Sequence, residues 1–88
     1  MTRAIELEVA QLADDVAKLL RAAFGDVADD IQWRVQYLGQ RGWMPYRIQI
    51  GAESDSVANY WGSDAHTAYV GFLYSVEVAV RMREARKA

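Results

Sequence analysis

Cysteine is absent from this chain, and histidine and proline occur once each. Without cysteine there is no disulfide framework, no thiolate zinc site and no thiol nucleophile. With His66 as the sole histidine, a metal site would depend on carboxylates, and no Asp/Glu cluster has ligand spacing. Ser63, Asp64 and His66 fall within one helical turn, where they cannot form a nucleophile, base and orienting group in line. No glycine-rich loop with phosphate-cradling spacing is present. Charge of one sign is lacking too: the formal net charge is −2, which gives the whole molecule no basic field for nucleic acid. No apolar run is long enough to cross a bilayer, and the start, residues 1–6, lacks the apolar segment of a signal peptide. These absences predict a cytoplasmic, membrane-free protein with no cofactor, no metal and no catalytic residues.

The chain is not poor in core material. Its 88 residues are 52% hydrophobic and 11% aromatic, enough for one packed domain over residues 1–88 and too much for disorder. Charge is unevenly placed. Glu6, Glu8, Asp14, Asp15, Asp26, Asp29 and Asp30 crowd the first third, whereas Arg34, Arg41 and Arg47 fall in the middle and Arg81, Arg83, Arg86 and Lys87 near the end.

Ile5, Val9, Leu12, Val16, Leu19 and Ala23 recur at steps of four and three, so a helix is expected from Arg3 to Phe24. Thr2 suits its N-cap and Gly25 its C-terminal stop. After a polar connector, Ile31, Trp33, Val35 and Tyr37 alternate with polar residues, the period of a strand with one buried face. Met44, Tyr46, Ile48 and Ile50 do the same. A four-residue loop over 39–42 would put Trp33 opposite Ile48, Val35 opposite Tyr46, Tyr37 opposite Met44 and Arg34 opposite Arg47, with the apolar set on one side. Pro45 belongs near the start of this second strand, where a missing N–H is tolerated. A third strand over about 56–61 could bury either Val57, Asn59 and Trp61 or Ala58 and Tyr60. A long helix over 64–86 follows, capped by Ser63 or Asp64, with Ala65, Tyr69, Phe72, Leu73, Val76 and Val80 as its core stripe. Its segment 70–80 is rich in strand-forming residues, and a strand is the rival reading there. The fold class expected is α+β: a two-layer α-β-β-β-α domain, with a three-stranded antiparallel meander carrying both helices on one face.

That element order resembles the double-stranded-RNA-binding domain in topology. The resemblance implies a nucleic-acid-binding alternative; the basic residues themselves, Arg34, Arg41, Arg47 and the Arg81, Arg83, Arg86 and Lys87 end, would be its contacts. The segment 63–67, however, holds an aspartate and no lysine where that family begins its second helix with basic residues. In size and class the chain is also similar to small phage-encoded inhibitors, anti-CRISPR proteins among them, which implies inhibition by covering a partner's surface.

Two surfaces are candidates for binding a protein partner. The open face of the sheet would display Arg34, Trp43, Arg47 and Gln49, with Tyr60 at the end of the third strand; aromatic residues beside arginine have the composition of interface hot spots. The plainer reading is a solvated strand face whose arginines are neutralised by Glu53 or Asp55. The second candidate is a surplus apolar line on the second helix, Val70, Tyr74 and Val78, opposite the core stripe. A partner groove or a homodimer through residues 64–86 would cover it, or the first helix could. A further line of small residues, Ala68, Gly71, Ser75 and Ala79, is expected to face the first helix.

Overall fold

The computed structural model describes residues 2–39, 43–52 and 55–87, the side chains of 55–57 excepted. Arg41, Glu53 and the side chains of Asp55 and Val57 therefore lie outside the described residues. The order is α1 (Arg3–Phe24), a 3-10 turn (Gly25–Asp30), β1 (Trp33–Tyr37), β2 (Tyr46–Ala52), β3 (Asp55–Gly62) and α2 (Ala65–Lys87). The sheet is an antiparallel meander in the order β1-β2-β3. The α+β, α-β-β-β-α expectation holds, and residues 70–80 are helical.

Both helix starts are capped as the sequence implies. The Thr2 hydroxyl accepts from the Ile5 amide at 3.2 Å, and the Asp64 carboxylate accepts from the Thr67 amide at 2.7 Å. That backbone hydrogen bond holds the Asp64 carboxyl below its ordinary pKa. α1 ends where Gly25 takes φ +60°, a conformation that disfavours any Cβ. Arg21 then pairs with Asp29 at 2.5 Å, tying the 3-10 turn back to α1.

The register differs from the sequence expectation by two residues. Trp33 faces Ile50, Arg34 faces Gln49, Val35 faces Ile48, Gln36 faces Arg47 and Tyr37 faces Tyr46. The ladder reaches as far as the Leu38 amide, which donates to the Pro45 carbonyl at 2.7 Å. Pro45 supplies an acceptor there and has no N–H to leave unpaired. Met44 and Trp43 thus belong to the connection rather than to β2, and both are exposed. A slip of two keeps every side chain on its face, so the alternation alone could not detect it.

In β3 the pairs are Ile48 with Tyr60 and Ile50 with Ala58, which makes Ala58 and Tyr60 the inward set. Between Ile50 and Gly51 the register shifts by one, and Gly51 accommodates this bulge at φ +97°.

The core lies between the sheet and the helices: Leu12, Val16 and Leu20 of α1, Tyr46 and Ile48 of β2, and Ala68, Phe72 and Val76 of α2. α1 packs over β1 and α2 over β2 and β3. The helices run side by side in the same direction. Glu8, Gln11 and Asp15 border a groove with Ala65, His66 and Tyr69, and the Arg83 guanidinium donates to the Ala23 carbonyl at 3.3 Å. Parallel helices bring like ends of two macrodipoles together. The placement of Glu6, Glu8 and Asp64 at the N-terminal ends, and of Arg21, Arg83, Arg86 and Lys87 at the C-terminal ends, offsets this on both sides.

The Tyr46 hydroxyl donates to the Glu8 carboxylate beneath the helix N-termini. This hydrogen bond, with burial of the ring, pushes the phenol pKa up to about 12. A phenol whose pKa is higher folded than unfolded holds its proton more tightly in the native state. Its contribution is complete below about pH 10, declines as pH rises, and is gone above about pH 12. Tyr46→Phe is expected to lower stability at pH 7 by about 1 kcal/mol and to flatten the alkaline limb of the stability profile. Urea unfolding of both proteins between neutral pH and pH 11 measures this. A parallel loss of stability in the two would refute the role given to the Glu8 contact.

Candidate functional site

The open face of the sheet is a polar ladder made by alternation. Gln36, Arg47 and Trp61 form one cross-strand row, and Arg34, Gln49 and Asn59 the next. The arginines are not opposite each other, as the sequence reading placed them: each faces a glutamine across the β1–β2 pair. Arg34 Nε donates to Gln49 Oε1 at 3.2 Å, and the Arg47 guanidinium donates to Gln36 Oε1. The Glu53 and Asp55 side chains, expected to neutralise the arginines, lie outside the described residues. Gln49, a candidate contact residue by sequence, is only 2% exposed and also donates to the Gly51 carbonyl at 3.3 Å. It ties β1 to β2 within the ladder.

Arg47 also lies 5.4 Å from the centre of the Trp61 ring. Its Nε is buried with no hydrogen-bond partner. Trp61 is therefore the aromatic residue of this face. Trp43, expected there, sits in the segment before β2 and is 91% exposed. Tyr60 points inward, edge-on to Phe72 with ring centres 5.3 Å apart, and packs against the core.

The second candidate surface is different in kind. Val70, Tyr74 and Val78 are exposed by 46%, 70% and 38%, and Met82, four residues further on, is 57% exposed. α1 does not cover them. It meets the other flank of α2, where Leu19, Ala22 and Ala23 border a groove with Leu73, Val76 and Val80. Residues spaced by four form a continuous ridge along a helix. Sequence reading found the first three members and missed Met82, although the same spacing of four predicts it. It missed the outward side of Trp61 because the inward set of β3 becomes readable only once β3 is paired with β2.

Of the small-residue line, Ser75 and Ala79 meet α1 only at its C-terminal end, where Leu20 and Phe24 share a trench with them. Ser75 and Ala79 border a trench beside β3, and a Cβ at Gly71 would touch the Tyr60 ring at 4.0 Å, an ordinary contact. The rest of α1 packs on the other flank, against Leu73, Val76 and Val80.

Among the described residues, no group of three or more His, Cys, Asp or Glu side chains could hold a metal ion. His66 is exposed in the first turn of α2, and the Asp64 carboxylate beside it is engaged in capping. Among the described residues, no helix is long and apolar enough to cross a membrane. No family model, curated protein or solved structure matches the chain.

Proposed function

We propose that this chain is a non-enzymatic protein-binding module whose partner docks on the outward ridge of α2. The observation that carries this reading is the exposure of Val70, Tyr74, Val78 and Met82 on a helix whose opposite side is already packed. A ridge spaced by four residues fits the groove of a second helix, the commonest helix-packing class. Aromatic and methionine residues are enriched in interface centres. Tyr74, the most exposed and largest member, is the expected hot spot.

The sheet face is a weaker candidate, because its arginines and glutamines already bind each other. For the same reason, the nucleic-acid alternative through Arg34 and Arg47 has less support than the ridge.

Tyr74→Ala tests the reading. The variant should fold as the wild type does, because Tyr74 is largely outside the core. It should weaken binding to any protein captured by the wild-type chain by at least about tenfold. Light scattering should show whether that protein is a second copy. Undiminished capture by Tyr74→Ala and by Val78→Asp would overturn the proposal.

A further inference from the structure

We infer that the trench between α2 and the far end of the sheet binds a single-chain anionic amphiphile, an aliphatic carboxylate of medium length. The trench lies at the end of the sheet away from the β1–β2 connection, on the flank of α2 next to the ridge. It has a volume of about 280 Å³, close to the lower end of small-molecule sites. It stays open because Ala58, Ser75 and Ala79 are small where α2 passes β3, while Phe24, Ile50 and Tyr60 form its walls. Such a trench leaves apolar surface in water that an aliphatic chain would cover.

One end of the trench specifies a charge. Ala79 also borders a second groove formed with Met82, Arg83, Arg86 and Lys87. Arg83 stands over the Phe24 ring at 5.8 Å, and Phe24 lines the trench, so the guanidinium is at its mouth. Arg83 gives one donor to the Ala23 carbonyl and stands 3.9 Å from Glu84, a loose ion pair at the surface. A guanidinium has five N–H donors in a planar fork, which matches a carboxylate. Among the described residues, no acidic side chain lines either groove. An apolar trough with a basic mouth is complementary to an apolar tail with an anionic head.

The test uses the full chain with decanoate below its micelle concentration or decanol below its solubility limit, followed by amide NMR. Saturable shifts centred on Ala58, Ser75 and Ala79 are expected, with decanoate bound about tenfold more tightly than decanol because only the carboxylate makes charge-assisted hydrogen bonds. Ser75→Leu, which fills the trench, should abolish both. Arg83→Met, at an exposed site, should reduce decanoate binding to the level of decanol and leave decanol unchanged. The inference is overturned by any of three results: no saturable shift in the folded wild-type chain, equal binding of the two probes by it, or a preference for decanoate that survives Arg83→Met. None of these outcomes depends on whether a protein docks on the ridge, since Tyr74 takes no part in the trench.

Discussion

Gly62→Ala is expected to destabilise the domain by about 3 kcal/mol or more, the upper range for forcing an extra methyl group into a packed site. Gly62 ends β3 on the inward face, opposite Tyr46, and α2 starts three residues later. A Cβ there would stand 2.4 Å from the Ala68 nitrogen and 2.5 Å from the Asp64 carbonyl oxygen. Those two atoms are donor and acceptor of the first backbone hydrogen bond of α2, 3.3 Å long. The methyl group would wedge into backbone, which has no rotamer with which to yield. The α2 start would have to lift off the sheet, carrying Ala68 and Phe72 out of the core.

Gly71→Ala provides the contrast. Its Cβ would make only an ordinary 4.0 Å contact with Tyr60, and glycine within a helix is unfavourable. That variant should be more stable than the wild type by about 0.5–1 kcal/mol. Thermal and urea unfolding of the two variants reads out both signs. A Gly62→Ala protein within about 1 kcal/mol of the wild type would refute the close approach of α2 to the end of β3.

Ile48→Ala should remove about 3–4 kcal/mol, within the range for truncating a fully buried isoleucine. Ile48 is 0% exposed and sits in the central strand between Val35 and Tyr60, in the core that α1 and α2 share with the sheet. Its neighbours belong to several elements, so they cannot collapse into the space without moving the layers relative to each other. A domain of this size has a stability of order 5–10 kcal/mol, so the loss is a large share of the total. Ile48→Val removes one methylene and should cost about 1 kcal/mol. Urea midpoints with an unchanged slope would attribute the losses to the folded state. Equal, small losses in the two variants would show that position 48 is not the centre of the core.

The elements were readable from sequence for reasons that can be named. α1 has an apolar stripe, an N-cap threonine and a terminating glycine, all of which act within a few residues of chain. The alternation of β1 and β2 fixes which side chains face the helices. It cannot fix which residues are opposite, because a slip of two preserves both faces. That was decided by Pro45, whose carbonyl joins the ladder while Trp43 and Met44 stay out of it. The consequence for the site is direct: Arg34 meets Gln49 instead of Arg47, and a repulsive pair becomes two hydrogen-bonded ones.

The α2 ridge was legible because helical spacing sorts residues by side without any knowledge of what covers them. Which flank α1 would choose was not legible. The sequence points the small-residue side at α1 and the Leu73/Val80 side at the sheet, whereas the packing of the layers sets α1 against Leu73 and Val80. The trench by Ala58, Ser75 and Ala79 follows from that selection, and no motif marks it.

The most direct test of the central claim is site-specific photo-crosslinking. A benzophenone-bearing residue in place of exposed Tyr74 reports on the ridge, and the same residue in place of Gln36 reports on the sheet face. The account predicts a discrete protein adduct from position 74, to a partner or to a second copy, and none from position 36. An adduct formed only from position 36 would contradict it and move the binding surface to the Arg47/Trp61 side of the sheet.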